Sequence, residues 1–264
     1  MRLFTSPPWR WCLGLLLSAL TACSSQKPPT PTAECVVTEA AVEPLRSQMS
    51  AARAYHTATL LPSCLVLVVG GARGDTPLNT AELYDPATGT WRDTGHLHVA
   101  RSAHTATLLA SGQVLVTGGR GRQISTNTAE LYDPATGTWS DANDMRGPRA
   151  HHSATRLPSG QVLVVGGNGG PIDPPPATAE LYDPDTDTWR TVGTLTTSRV
   201  DPSALLLPSG QVLVVGGGPD NTTELYEPAS GTWTTGRMKL LRGVRAAVRL
   251  SSGKVLAEIG RAHV

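Results

Sequence analysis

Short apolar runs closed by paired glycines set the rhythm of this chain. The clearest copy extends from His151 to Trp189: His-His-Ser-Ala-Thr, a Pro-Ser-Gly turn and Gln161, the run Val162-Leu163-Val164-Val165, the pair Gly166-Gly167, a variable loop, Thr-Ala-Glu-Leu-Tyr-Asp-Pro, and Thr188-Trp189. An apolar run with no polar interruption suits a strand covered on both faces by neighbouring sheets. The glycines let the backbone turn and approach a neighbour without Cβ atoms. The copy divides into four short strands with turn signals between them: strand a over His152–Leu157, b over Gln161–Val165, c over Ala179–Tyr182, and d from near Thr188. The c–d connection, Asp85-Pro86-Ala87-Thr88-Gly89 in the first copy, is a turn by mechanism. Asp bonds back to its own backbone, Pro presets φ, and Gly accepts φ > 0. In the third copy Asp187 takes the glycine's place, a position Asp tolerates better than most residues.

The same pattern occurs four times. Its glycine pairs are Gly70/Gly71, Gly118/Gly119, Gly166/Gly167 and Gly216/Gly217, spaced by 48, 48 and 50 residues. Each pair is followed by a tyrosine (Tyr84, Tyr132, Tyr182, Tyr226) and then a tryptophan (Trp91, Trp139, Trp189, Trp233). A fixed period of this length marks a repeat architecture. From about Met49 to Leu256 the chain resembles the kelch repeats, whose marks are a double glycine closing a strand, a Tyr beyond a variable loop and a Trp after a short turn. The resemblance implies an all-β fold, a kelch-type β-propeller over residues 34–257. It would comprise four complete four-stranded blades, a partial fifth, and an N-terminal strand available for ring closure. It also implies that the repeated Gly, Tyr and Trp positions are structural, the aromatics packing between blades. It says little about activity, since one fold hosts unrelated functions.

Composition narrows the function classes. The 264 residues include 27 Gly and 21 Pro, only 16% are charged, and the formal net charge is +1. A turn-rich chain of this length can build a large all-β core, but it has no electrostatic footprint for nucleic acid. At the N-terminus Arg2 and Arg10 precede the apolar run Trp11–Leu20, too short to span a bilayer and typical of a secretory signal. Leu20-Thr21-Ala22-Cys23 resembles the bacterial lipobox. The expectation is a signal peptide over 1–22, lipidation of Cys23, and a Pro/Ser-rich tether over 23–33. That would place the protein in a bacterial cell envelope, at the outer membrane or cell surface, held to the membrane by its lipid anchor alone. Cys35 and Cys64 remain in an oxidising compartment, where a disulfide is open to them. Cys64 replaces the glycine of the Pro-Ser-Gly turn.

Three sets of polar residues recur and would form rings about a propeller axis. His56, His104 and His152 begin strand a; Arg53, Arg101, Arg149 and Arg199 precede it by three; Glu82, Glu130, Glu180 and Glu224 open strand c. Three histidines near a channel could ligate a metal. The expectation is instead that each bonds a backbone group of its own blade, because Pro202 and Arg245 break the ring. The Arg and Glu residues are expected to meet as partly buried ion pairs on one face. No metal site and no cofactor is expected.

The b–c loop varies between copies, and loops that vary on a fixed scaffold are where binding is built. Its candidate ligand residues are Arg73 and Asp75 in the first copy, Arg120 and Arg122 in the second, Asn168 and Asp173 in the third, and Asp220 and Asn221 in the fourth. Arg73-Gly74-Asp75 also spells an integrin-type tripeptide. No catalytic constellation of Ser, His and Asp, paired carboxylates or phosphate-binding glycines accompanies them. The expected function is a non-catalytic scaffold, monomeric at full length, that holds a protein or envelope polymer. Galactose-oxidase-like copper oxidoreductases, which also carry kelch-type blades, supply the alternative.

The chain ends carry a further expectation. Val36–Met49 aligns with the end of a blade, so a fourth strand arrives before any first strand. Strand b of the fifth copy begins at Gly253-Lys254-Val255-Leu256, but Glu258–Val264 matches no repeat and reads as the translation of a common sequencing adapter. The expectation is a truncated fragment with a non-native tail over 258–264.

Overall fold

The computed structural model describes residues 47–170, 177–219, 221–238 and 244–259. All the described residues belong to one compact unit, 37–264. They form strands and turns without a helix.

Each full repeat folds into one four-stranded antiparallel sheet. In the first, β1 (Thr57–Leu60), β2 (Val66–Val69), β5 (Ala81–Asp85) and β6 (Thr90–Asp93) lie side by side in chain order. Between β2 and β5 a small hairpin, β3 (Ala72–Arg73) with β4 (Thr76–Pro77), fills the b–c loop. The second blade comprises β7 (Thr105–Leu108), β8 (Val114–Thr117), β9 (Ala129–Asp133) and β10 (Thr138–Ala142). The third comprises β11 (Ser153–Arg156), β12 (Val162–Val165), β13 (Thr178–Asp183) and β14 (Thr188–Thr194). The fourth comprises β15 (Ser203–Leu206), β16 (Val212–Val215), β17 (Thr222–Glu227) and β18 (Thr232–Arg237). A last pair, β19 (Val244–Arg249) with β20 (Val255–Ile259), forms a fifth blade of two strands. β20 continues through Ala257, Glu258 and Ile259, with Glu258 opposite Ala246. The first two residues of the expected tail therefore belong to a paired strand; 260–264 lie outside the described residues, as do the signal and tether.

The core is a series of layers between blades. Strand b explains why, since its successive side chains point to opposite sheet faces. Val114 and Val116 pack with Leu61, Leu67, Val69 and Leu83 of the first blade. Leu115, between them, packs with Val162 and Val164 of the third. Leu163 and Val165 in turn join Val212 and Val214 of the fourth. The uninterrupted apolar run is thus two period-two stripes, one for each neighbour.

The aromatic pair seals each layer. Tyr84 and Trp91, Tyr132 and Trp139, Tyr182 and Trp189, and Tyr226 and Trp233 are cross-strand partners with ring centroids 4.9 to 5.1 Å apart. The indole N–H of Trp139 donates to Gly95 O (2.8 Å), that of Trp189 to Asn143 O (2.7 Å) and that of Trp233 to Val192 O (2.8 Å), each on the preceding blade. The Tyr132 hydroxyl meets Thr94 Oγ1 of the preceding blade at 2.8 Å. Gly166, at φ +69, leaves no room for a side chain, because a Cβ there would lie 2.6 Å from Arg199 O of the next blade. Cys64 adopts φ +65 at the position that Gly112, Gly160 and Gly210 fill in later copies.

One glycine of the repeat departs from the expected equivalence. Gly71, Gly119 and Gly167 are buried at φ 91 to 102°, whereas Gly217 is only half-buried and has φ +69. In the first and third copies the residue after the pair bonds back to the entering chain, Ala54 N donating to Ala72 O and Ala150 N to Asn168 O. In the fourth, Val200 N donates to Gly217 O at 2.8 Å, so Gly217 itself takes that place, one residue early. The cause is loop length: Glu224 follows Gly217 by seven residues, against eleven from Gly71 to Glu82, and the shorter connection must leave the sheet sooner. The position remains structural, since a Cβ on Gly217 would collide with Val200 O, but the fourth pair is not a copy of the other three.

Candidate functional site

The recurring charged residues form the scaffold of the site rather than its chemistry. Each Arg–Glu pair lies within one blade: Arg53–Glu82 at 2.5 Å, Arg101–Glu130 and Arg149–Glu180 at 2.6 Å, Arg199–Glu224 at 3.3 Å, with side chains at most 2% exposed. The expected pairs are real but fully buried, correcting the expectation of partial burial. Burial is sustained because the Nη groups and the carboxylates have further partners, while Arg53 Nε and Arg149 Nε have none among the described residues. Arg149 Nη1 donates to Gly166 O and Thr178 O, while Glu180 Oε2 accepts the Arg146 backbone N–H on the entering chain. The arginine backbone faces the other way: Gly71 N donates to Arg101 O, Gly119 N to Arg149 O and Gly167 N to Arg199 O. One residue therefore ties its side chain into its own blade and its carbonyl into the preceding one.

The histidines make contacts beyond their own blades. His104 Nε2 lies 3.0 Å from Thr57 Oγ1 of the preceding blade, and His152 Nε2 lies 2.9 Å from Thr105 Oγ1 and 3.1 Å from Thr117 Oγ1. Their Nε2 atoms thus meet side-chain hydroxyls across the interface, while the rings also meet the backbone of Arg101 and Arg149 in their own blades. Burial, reinforced by Arg101 and Arg149 respectively, depresses both to about 3, so both are neutral at physiological pH. His56, at the first blade, is exposed.

The position just before these histidines carries different side chains on one strained backbone. Tyr55, Ala103, His151 and Asp201 have φ of 55, 51, 55 and 54°. A left-handed conformation costs a non-glycine residue of order 1–3 kcal/mol and persists only where the surroundings enforce it. Here a chain of hydrogen bonds runs from blade to blade: Ala103 N donates to Tyr55 O, His151 N to Ala103 O and Asp201 N to His151 O, at 2.8 to 2.9 Å. The side chains differ at every step. His151 Nδ1 meets Asp201 Oδ1 at 2.9 Å, and the Tyr55 ring stands edge-on to His151 with centroids 6.0 Å apart. Tyr55 is 68% exposed.

A polar cleft of about 500 Å3 opens beside this chain of residues. Tyr55, Ala103 and His151 form one wall; Asp75 and Pro77 of the β3–β4 hairpin and Arg120, Gly121 and Arg122 of the second b–c loop form the others. The loop candidates thus divide. Asp75, Arg120 and Arg122 converge on one cleft. Arg73 lies in β3, exposed, beside the hairpin turn at Gly74 and Asp75. Asn168 is part of the blade wall: its carbonyl accepts from Ala150 N and Ser125 Oγ, and its Oδ1 accepts from Gly170 N. Asn221 donates from Nδ2 to Met238 O at 2.7 Å, the bond that Asn79 makes to Leu97 O and Asn127 to Met145 O, so its amide is structural. Asp173 and Asp220 lie outside the described residues, as do Cys23 and Cys35. Cys64 is disulfide-bonded, and no other cysteine occurs among the described residues.

His151 and Asp201 are the residues that repeat reasoning passed over, whereas Tyr55 stands out in the sequence as the one aromatic of residues 34–257 outside the repeat-fixed positions. The signal was present, since one position in each copy held Tyr, Ala, His and then Asp immediately before strand a. Among the described residues one group has the spacing to hold a cation: His98, Glu130 and Asp141. Glu130 is already engaged by Arg101 and by the backbone N–H groups of His98 and Val99. His98 Nδ1 instead bonds Asp141 Oδ1 at 2.7 Å, which raises its pKa above the ordinary value. That arrangement is an exposed ion pair at the d–a crossover.

Comparison with known proteins agrees with this architecture. A search of curated proteins finds no match. The solved structure of YjhT superposes with a TM-score of 0.63 at 13% identity, over 78% of this chain and 80% of that one, a likeness of fold. The model of the Kelch motif matches residues 52–95, 101–146 and 148–196, more than half of the chain, and on that match the protein belongs to the kelch-repeat family.

Proposed function

We propose that this protein is a lipid-anchored propeller of a bacterial cell envelope, a non-catalytic scaffold that holds a protein or polymer on its b–c loop face. The observation that carries the reading is a division of labour. Every recurring Arg–Glu pair and the histidines at the blade interfaces are buried and bonded within the scaffold. The ionisable side chains left facing solvent around a cleft are the non-recurring ones on the loops and beside the axis. A fixed frame carrying one variable polar face is the usual construction of a binding site. The anchor rests on Leu20-Thr21-Ala22-Cys23, and a covalent tie between Cys64 and Cys35 would fasten the start of the domain to its first blade.

The test has two arms. Cys23→Ala should release the protein from the membrane fraction, and a variant that partitions with membranes as the wild type does removes the anchor. Affinity capture from the native envelope should enrich a defined protein or polymer that is lost with Arg73→Glu/Arg120→Glu/Arg122→Glu. Capture that is unchanged by that triple substitution removes the loop face as the binding surface.

A further inference from the structure

Resting on that scaffold reading, we infer that the cleft beside the axis is a site for a small anionic ligand, a carboxylate or phosphate carried on a compact body, held by Arg120 and Arg122 with Tyr55 as its apolar platform. Two guanidinium groups and one carboxylate, Asp75, line the cleft. Among the described residues neither Arg120 nor Arg122 has an ion-pair partner, whereas Arg53, Arg101, Arg149 and Arg199 each hold a glutamate. Arginine presents its donors as a planar fork that fits carboxylate and phosphate oxygens in pairs, so two unengaged guanidinium groups on one loop favour an anion there. Arg120 is also held in place: its backbone pairs with Ser102 on one side and Ser125 on the other.

The opposite wall is equally fixed. His151 is positioned by Asp201 through Nδ1, which leaves Nε2 without a protein partner among the described residues and open to a ligand hydroxyl or water. The hydrogen-bonded chain that holds Tyr55, Ala103 and His151 in the left-handed conformation gives that wall one backbone geometry. A volume of about 500 Å3 falls in the range of small-molecule sites. The cleft therefore takes a molecule, or the terminal unit of a larger partner, of about that size.

The experiment titrates the full chain with glucose 6-phosphate, with glucuronate and with uncharged glucose, followed by calorimetry. Binding of either anion at sub-millimolar concentration, with glucose at least tenfold weaker, is expected; the phosphate and carboxylate arms identify the headgroup. Arg120→Ala/Arg122→Ala should weaken the bound anion at least tenfold, and Tyr55→Ala should weaken it severalfold, both at an unchanged melting temperature because these side chains are exposed. Failure of both anions to bind, or equal affinity for the double variant, overturns the inference. If neither anion binds while envelope capture remains sensitive to the Arg73, Arg120 and Arg122 substitutions, the scaffold survives and only the small-anion site falls.

Discussion

Replacing Glu180 with Leu tests how the blades are pinned. In the folded protein Glu180 accepts from Arg149 Nη2 at 2.6 Å and from the Arg146 backbone N–H at 2.8 Å, and both members of the ion pair are 1% exposed. The variant leaves the Arg149 charge buried with only the neutral oxygens of Gly166 and Thr178 around it, and takes the acceptor from the part-buried Arg146 N–H. Removing one partner of a buried pair costs about 3–5 kcal/mol, because the remaining charge stays desolvated. For a domain of this size that corresponds to a fall in melting temperature of roughly 6–20 °C. Urea unfolding monitored by tryptophan fluorescence would measure it, with Arg149→Met and the double variant completing a cycle. Once Glu180 is gone the arginine is a liability, so Arg149→Met should cost much less in the Glu180→Leu background than alone. A coupling of at least about 2 kcal/mol is expected. Additive single substitutions, or a loss below about 1 kcal/mol for Glu180→Leu, would refute the account of the pair as a structural pin.

Three further outcomes follow from the same interfaces. Trp139→Ala should cost about 3 kcal/mol by chemical denaturation, the low end for a large-to-small change, since the ring is only partly buried; Trp139→Phe should cost about 1 kcal/mol, the bond to Gly95 O. Because His104 and His152 are depressed to about 3 in the fold, the unfolded chain binds more protons between pH 6.5 and 3, and stability should fall as pH drops through that window. At pH 5 the loss is roughly 2 kcal/mol per histidine, and a His104→Asn/His152→Asn variant should show a flatter pH profile in thermal melts. Gly166→Ala should destabilise by about 3 kcal/mol, combining a left-handed alanine with a clash against Arg199 O, whereas Gly89→Ala, with nothing within 4 Å of the added carbon, should cost about 1 kcal/mol.

How far the chain could be read before folding depends on whether a property is local. The strands, the turn at Asp85–Gly89 and the pairing of each Tyr with its Trp follow from spacing inside one repeat. The burial of Arg149 does not, because it depends on what covers the blade from either side; residue type and period locate the pair but not its solvent exposure. The histidines show the same limit: the partner of His104 is Thr57, one full repeat upstream, and only the interface brings them together. Gly217 shows that even a recurring residue can change its task, because the length of the loop after it decides where the chain leaves the sheet. The axial residues failed for a different reason. Aligning copies draws the eye to what recurs, and Tyr55, Ala103, His151 and Asp201 share a backbone conformation while sharing no side chain.

The shared interface chemistry also bears on how such a chain can change over generations. Because strand b presents one stripe forwards and the other backwards, and the carbonyls of Arg101, Arg149 and Arg199 meet the glycine pair of the preceding blade, successive seams share most of their fittings. A duplicated or deleted stretch of one period restores two matching surfaces wherever it is made. Unequal recombination between copies would then alter the number of blades in a single event without first creating an unstable intermediate, leaving the axial residues and the loops free to diverge one copy at a time.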